Sequence, residues 1–304
     1  MAVMDPFPKR VTLIEVGPRD GLQREETLIP LEEKVALIEA LVDSGLRQIQ
    51  VTSFVHPRAV PQMADAEELC ARLPQHPDLI YSGLALNLKG VERAQKAGLT
   101  HIDISVSASE AHSLRNANRS VDAAVAEFKE MYAHARAAGM VVRGGIQCVF
   151  GYQQAGDVTL ESVREIASQF LTLGVDALAL ADSAGFANPR SMSHLLDSIR
   201  PLAGQTPIIM HLHETRGLGL ANLLTALQKG VTCFDTAFGG LGGCPFIDGA
   251  AGNIATEEVV YMLEGMGIAT GVDLERLSRL SRTFEKRLGK PLPGKVYALM
   301  GERV

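Results

Sequence analysis

The sequence predicts an α/β protein of the (β/α)8 TIM-barrel class with extra C-terminal helices. Three observations support this. Short β-rich apolar runs alternate with longer segments of helical period, the alternation occurs eight times, and eight such units fit in about 250 residues, the usual size of this barrel. The chain has 304 residues, of which 46% are hydrophobic, so it can bury a full core. We expect one domain over residues 1–304, with a helical extension from about 270 to 304.

The eight predicted strands are the short apolar runs at 11–16, 48–54, 79–86, 101–108, 141–150, 177–182, 207–213 and 233–238. The clearest helices between them cover residues 31–45, 120–139 and 160–174, and each ends at a glycine, where a left-handed cap is expected. The last barrel helix is predicted over 253–267 and a further helix over 274–289. These C-terminal helices either cover the barrel or form an oligomer contact, and we expect a homo-oligomer, most simply a dimer.

Composition excludes several classes of function. The net charge of −6 is mild and comes from interspersed charges, which gives no reason to expect nucleic-acid binding. The sequence contains no run of about 18 uncharged apolar residues, so no membrane-spanning helix is predicted. The first ten residues lack the apolar core of a secretory signal. We therefore expect a cytoplasmic protein with a small-molecule site. The cysteines show no C-x-x-C spacing and are expected to be free thiols: Cys70, Cys148, Cys233 and Cys244.

The first strand leads directly into "GPRDGLQ", which carries three polar side chains. In a (β/α)8 barrel, active sites lie at the C-terminal ends of the strands, so Arg19, Asp20 and Gln23 are expected at the mouth. The alternative is a simple turn, in which Asp20 caps the backbone and Arg19 is solvated.

The seventh strand ends in "MHLHET". Residues two apart on a strand point to the same face, so His211 and His213 are expected to project into one space, as metal ligands or as partly buried polar residues. Together with Asp20 they favour a divalent ion. Amide and water oxygens would complete an octahedral shell suited to Mg²⁺ or Mn²⁺, and zinc is less favoured because no thiolate is obviously committed to the site.

Four segments resemble the 3-hydroxy-3-methylglutaryl-CoA lyase family. They read "IEVGPRDGLQ" (14–23), "TSFVHPRAVPQMAD" (52–65), "HLHETRGLGLAN" (211–222) and the glycine-rich "GLGGCPFIDGAAGNIATEE" (240–258), and the resemblance spans about residues 9 to 290. It implies a metal-dependent barrel that cleaves a β-hydroxyacyl-CoA to acetyl-CoA and a keto acid. By position, Asn253 joins Asp20, His211 and His213 as a metal ligand.

The same resemblance implies roles for two further residues. Arg19 would stabilise charge near the thioester, and Cys244 would transfer a proton. The glycine-rich loop that carries Cys244 is then expected to act as a lid. The alternative is a compact turn with an inert thiol.

Several weaker candidates remain. Asp182, at the end of the sixth strand, is expected either to orient the substrate hydroxyl or an imidazole, or to cap a helix. The candidate substrate contacts are Arg19, Gln23, Gln50, Ser53 and Asn87. Hydroxyl and amide groups at strand ends also form turns. Six histidines without partner spacing are expected on the surface: His56, His76, His101, His112, His134 and His194.

The chain departs from the family pattern at four places. Gln50 stands where a glutamate is usual, "HDTYG" has become "HETRG" with Glu214 and Arg216, and "FGYQQAG" lacks a Cys-Pro pair. An amide cannot take a proton, so any base role at position 50 is lost. Arg216 would pair with a carboxylate or a CoA phosphate, or be solvated. We expect lyase chemistry with possible drift in substrate. The alternatives are a citramalyl-CoA lyase, a Claisen-condensing synthase and a non-catalytic acyl-CoA-binding barrel.

Overall fold

A closed barrel of eight parallel strands, paired in sequence order from β1 to β8, forms the centre of the protein. The computed structural model describes residues 7–242 and 252–300. The predicted (β/α)8 fold is thus confirmed. The strands are β1 (Thr12–Glu15), β2 (Gln48–Ser53), β3 (Ile80–Ala85), β4 (His101–Ser107), β5 (Val141–Gln147), β6 (Ala177–Asp182), β7 (Ile208–Leu212) and β8 (Cys233–Thr236).

Helices surround the barrel and fill the connections between strands. They are α1 (Leu31–Asp43), α2 (Ala66–Arg72), α3 (Leu88–Lys96), α4 (Glu110–Ala117), α5 (Val121–Ala137), α6 (Leu160–Leu173), α7 (Pro189–Ala203), α8 (Gly219–Gln228), α9 (Thr256–Gly265), α10 (Leu274–Leu288) and α11 (Val296–Leu299). Within the described residues, every helix is too short or too polar to span a lipid bilayer.

Most predicted strands are one to three residues longer than the observed ones, because an apolar run continues past the last paired residue. The fifth strand shows the cause. It ends at Gln147, and Cys148 adopts φ +60°, which takes the chain out of the extended conformation.

The interior of the barrel has two layers. An apolar cluster contains Ile14, Ala179 and Ile209. Next to it lies a layer of polar side chains on the inward-facing positions of six strands, all buried except the partly exposed Arg143: Gln50, Ser82, Asp103, Arg143, His211 and Asp235. Buried polar and charged groups destabilise a fold unless they pair with one another, so these side chains are expected to form a connected network.

The C-terminal helices pack on their own chain. Helix α10 contacts α1 and α9 and buries Leu277, Ser281 and Phe284. The Phe284 ring meets the ring of Phe238 edge to face at 5.2 Å between centroids. This face of α10 therefore covers the segment that follows β8.

Two buried carboxyl groups hold the segment after β8 in place. Glu15 Oε1 accepts hydrogen bonds from the backbone N–H of Gly17 at 2.8 Å and of Phe238 at 3.0 Å, and its Oε2 accepts from Thr256 Oγ1 at 2.7 Å. Glu257 Oε2 accepts from the N–H of Gly239 at 2.8 Å. Burial raises the pKa of Glu15 to about 7 and that of Glu257 to about 8.

These raised pKa values predict a pH-dependent stability. Between pH 4.5, the ordinary pKa, and about 8, the folded state keeps a proton on Glu257 that the unfolded chain has lost. The free energy of unfolding should therefore fall as pH rises, by at most about 1.4 kcal/mol per pH unit for this group. Glu257→Gln, which imitates the protonated acid, should reduce the slope measured by urea unfolding between pH 5 and 8 and leave the part that Glu15 contributes.

The matched control is Glu130→Gln on the exposed face of α5. It should leave the slope as in the wild type. Equal slopes for Glu257→Gln and the wild type would contradict the assignment of a proton to Glu257 in the folded state.

Candidate active site

The turn after β1 places Arg19 and Asp20 at the mouth of the barrel. It is a single π-helical turn, Gly17–Gly21, with Pro18 near its start. Position 17 requires glycine because a Cβ there would lie 2.5 Å from Cδ1 of Phe238. The close approach of the turn to the segment after β8 keeps Arg19 buried and presents Asp20 to β7.

Asp20, His211 and His213 converge as the strand-end pattern predicts. One potential ligand atom from each lies within 4.8 Å of the other two. The Nε2 atoms of His211 and His213 are 3.1 Å apart. Such a set of one carboxylate and two imidazoles is a candidate divalent-metal site.

Asn253 completes this cluster. Its Nδ2 donates to Asp20 Oδ2 at 2.7 Å and to the carbonyl of Leu241 at 3.0 Å. Its Oδ1 is buried and has no hydrogen-bond partner among the described residues. Buried acceptors are nearly always satisfied, and an amide oxygen is a preferred ligand of hard cations. The unused oxygen beside Asp20 therefore fits an ion in this cluster.

The electrostatics favour the ligating protonation states. Burial alone would raise the pKa of Asp20, but the charge of Arg19 and the neighbouring imidazoles hold it well below its usual range. Burial, with His211 as neighbour, lowers the pKa of His213 to about 3. An ionised carboxylate and a neutral imidazole are the forms that bind a metal.

Asp235 and Arg143 support the cluster from inside the barrel. Asp235 Oδ2 lies 3.0 Å from His211 Nδ1, and Arg143 Nη1 donates to Asp235 Oδ1 at 2.9 Å. Burial would raise the pKa of Asp235, yet the Arg143 charge lowers it to about 2. An ionised Asp235 favours the proton on His211 Nδ1, which leaves Nε2 free as a ligand.

Neither Asp235 nor Arg143 was among the residues that the sequence singled out. Both lie within strands, on β8 and β5, whereas active-site residues of this barrel are expected at strand ends. The available signal was a charged residue inside each apolar run, "CFDTAF" and "VVRGG", because a charge at a central strand position requires a buried partner.

A cavity of about 640 Å³ opens beside the cluster. Four of the predicted substrate contacts line it: Arg19, Gln23, Gln50 and Asn87. Gln23 Nε2 donates to Asp20 Oδ1 at 2.9 Å. Asn87 is also the N-cap of α3, with its Oδ1 accepting from the N–H of Gly90 at 2.9 Å. The Oγ of Ser53 is buried, and among the described residues it has no hydrogen-bond partner.

The Asp182 carboxylate holds the loop after β6 through hydrogen bonds to the loop backbone. Its two carboxylate oxygens accept from the backbone N–H groups of Phe186 at 2.8 Å and Ala187 at 3.0 Å. Burial raises its pKa to about 6. The N-cap of α7 is Asn188, so the helix-cap alternative for Asp182 is wrong.

The side chain of Arg216 contacts the same loop, the one that follows β6. Its Nη1 donates to the carbonyls of Ala184 at 2.7 Å and Gly185 at 3.0 Å, and its guanidinium lies 4.1 Å from the centroid of the Phe186 ring. This geometry combines hydrogen bonding with a cation–π contact. Arg216 therefore braces this loop while its side chain stays exposed to solvent, in keeping with the solvated alternative.

His112 and two of the cysteines are buried. His112 was expected on the surface but is buried on α4, edge-on to the ring of Tyr152, and lines the mouth of the cavity. Cys70 and Cys148 are buried thiols, and burial raises the pKa of each to about 12. Cys244 lies outside the described residues, as do residues 243–251 of the predicted lid.

Comparisons with known proteins agree with this geometry. The model of the HMGL-like family matches residues 10–284. The chain is 40% identical over 290 residues to the hydroxymethylglutaryl-CoA lyase of Bacillus subtilis, covering 95% of this chain and 97% of that one. It is 42% identical to the mitochondrial hydroxymethylglutaryl-CoA lyase of Gallus gallus, covering 89% and 91%.

Among solved structures, an HMG-CoA lyase from Acinetobacter baumannii in complex with coenzyme A and 3-methylmalate superimposes with a TM-score of 0.91. The two chains are 37% identical, and the match covers 100% of this chain and 98% of the other. The similarity therefore extends over the whole barrel as well as the motifs at its mouth.

Proposed function

Because this chain belongs to the HMGL-like family, we propose that it is a lyase that cleaves 3-hydroxy-3-methylglutaryl-CoA to acetyl-CoA and acetoacetate. The observation that carries the proposal is the convergence of Asp20, His211 and His213 beside a buried Arg19 at the mouth of the barrel. Cleavage of a tertiary alcohol requires stabilisation of charge on two oxygens, and this site offers groups for both.

Four residues are proposed to hold Mg²⁺ or Mn²⁺: Asp20, His211, His213 and Asn253. The fit rests on the clustered ligand atoms and on the unused Oδ1 of Asn253. Oxygen and imidazole ligands without a thiolate suit these hard ions. When bound, such an ion would lower the pKa of a substrate hydroxyl and orient it.

The reaction is a retro-Claisen cleavage. The hydroxyl on the β-carbon gives its proton to a general base and becomes the ketone of acetoacetate. At the same time the bond between the α- and β-carbons breaks, and its electron pair forms the thioester enolate. Arg19, facing the thioester, would offset the enolate charge. Protonation of the α-carbon, proposed for Cys244, then gives acetyl-CoA.

The cavity-lining amides and the loop after β6 have supporting roles in this proposal. Gln23, Gln50 and Asn87 are proposed to contact the acyl-CoA, as is Ser53, which lies at the end of β2. Gln50 cannot act as a base. Asp182 is proposed to orient the site indirectly. It braces the loop after β6, and it lies close enough to His211 for the imidazole to influence its pKa.

The decisive experiment is incubation of the purified protein with Mg²⁺ and 3-hydroxy-3-methylglutaryl-CoA, followed by measurement of acetyl-CoA. Release of acetyl-CoA and acetoacetate supports the lyase. Binding without release supports a non-catalytic barrel, and condensation of acetyl-CoA with a keto acid supports a synthase.

A citramalyl-CoA lyase is the second candidate, and Gln50 favours testing it. Replacement of the usual glutamate changes the charge of the cavity wall that would face the acyl group. A panel of β-hydroxyacyl-CoA thioesters, including citramalyl-CoA with pyruvate as product, identifies the preferred substrate by comparison of kcat/KM.

The proposal includes an acyl-CoA ligand, a cytoplasmic location and a homodimer. The Acinetobacter relative binds coenzyme A in its crystal, which supports the first. Relatives include mitochondrial as well as cytoplasmic enzymes. Light scattering at several protein concentrations tests the dimer.

Cys244 provides a separate prediction. If its thiol transfers a proton, alkylation should inactivate the protein, substrate should protect it, and Cys244→Ala should lower kcat. Cys148→Ala is the matched control, since burial makes that thiol unreactive. Full activity of both the alkylated protein and Cys244→Ala would support an inert thiol.

A further inference from the structure

A chain of contacts runs from Arg19 into the barrel interior through Gln50 to Asp103. Arg19 Nε donates to Gln50 Oε1, and Gln50 Nε2 donates to Asp103 Oδ2. All three side chains are buried. They come from the turn after β1, from β2 and from β4, so the contacts join three separate barrel elements.

Asp103 is itself fixed by the strands on both sides of it. Ser82 Oγ, on β3, donates to Asp103 Oδ2 at 2.9 Å. Arg143, its register partner on β5, places Nε 3.7 Å from Asp103 Oδ1. The carboxylate therefore has a defined position from which to orient Gln50.

The two charges determine how the Gln50 amide points. A carboxamide has an acceptor oxygen on one side and a donor NH₂ on the other. With Arg19 on one side and Asp103 on the other, the observed orientation makes two favourable contacts. The flipped orientation would point NH₂ at a guanidinium and oxygen at a carboxylate, so both contacts would become repulsive.

This arrangement keeps an oxygen at position 50 that accepts a hydrogen bond from Arg19. In proteins with the usual glutamate, a carboxylate oxygen would stand at the place of Gln50 Oε1. In this chain the atom at that place is an amide oxygen, and the negative charge lies on Asp103, the next residue in the chain of contacts. The amide therefore lies on β2 and the acid on β4.

We propose that Asp103 is a positioning residue that holds Arg19 in place through Gln50. This inference rests on the proposed lyase function, in which Arg19 faces the thioester. Asp103 acts through another side chain and need not touch the substrate.

The test exchanges the acid and the amide. Gln50→Glu alone places two carboxylates in contact, and kcat should fall by about tenfold to a hundredfold, the range found for residues that support a catalytic group. KM should change little, because Arg19 acts on charge that develops in the transition state. The double variant Gln50→Glu/Asp103→Asn restores one acid and one amide, and its kcat should return to within about threefold of the wild type.

A second measurement does not depend on turnover. The NMR signal of the Arg19 Nε–H, assigned by its loss in Arg19→Lys, should shift or broaden in Gln50→Glu and return in the double variant. Asp78→Asn, at an exposed aspartate, is the control for both measurements. Thermal unfolding of each variant verifies the fold.

Two results would overturn the inference: a Gln50→Glu variant as active as the wild type, or a double variant no better than Gln50→Glu alone. If the wild type cleaves no thioester of the panel, the proposed function fails. The Arg19 signal in the same variants then decides the positioning role by itself.

Discussion

Replacing Arg19 with methionine should lower kcat by at least about a hundredfold, since loss of one preorganised donor to a developing oxyanion raises a barrier by about 3–4 kcal/mol. Arg19 is buried, and its Nε and Nη1 donate to Gln50 and Asp20. Its orientation is therefore set before substrate binds. Methionine retains much of the apolar length but supplies neither charge nor donors. Steady-state kinetics with 3-hydroxy-3-methylglutaryl-CoA measure the effect.

The control is Arg279→Met. Arg279 lies on the exposed side of α10 and pairs with Glu275 one turn away, at 2.6 Å. Exposed pairs of this kind contribute little stability, so kcat should be unchanged. An Arg19→Met variant with turnover within a few-fold of the wild type would remove Arg19 from the mechanism.

His213→Ala should abolish both metal binding and turnover. The variant loses one of two imidazoles whose Nε2 atoms face each other at 3.1 Å. Loss of a residue that merely supports a ligand costs about tenfold to a hundredfold in metal affinity or activity, so loss of a ligand should exceed about a hundredfold. Electron paramagnetic resonance of free Mn²⁺ during titration measures affinity without substrate.

His194→Ala, at an exposed position of α7, is the matched control and should bind Mn²⁺ as the wild type does. Unchanged Mn²⁺ affinity in His213→Ala would show that the ion lies elsewhere. That result would also separate the metal site from the lyase activity, which could still be measured in the same variant.

The barrel could be predicted from the sequence because each strand and helix carries its own local pattern. The predicted end of the fifth strand was wrong because a single left-handed residue, Cys148, is not encoded by hydrophobic period. The helix ends at residues 45, 139 and 174 were predicted well, since glycine at each has positive φ.

The site was predictable where its residues follow strands at the mouth. Asp20, His211 and His213 could be read from their positions, whereas Asn253 followed from family resemblance alone. The interior partners could not be read in this way. Arg143 and Asp235 pair across 92 residues of sequence, and no local period reports such a pair. The role of Arg216 likewise depends on a loop 31 and 32 residues earlier.

The charges inside the barrel have a consequence for where cations and anions are attracted. Leaving the histidines aside, two guanidinium groups, of Arg19 and Arg143, face three carboxylates, of Asp20, Asp103 and Asp235. This layer carries one excess negative charge, but three further guanidinium groups line the same cavity, those of Arg24, Arg115 and Arg119. The cavity lining therefore holds five guanidinium groups and three carboxylates, so the inner layer favours a cation while the cavity as a whole favours an anionic thioester.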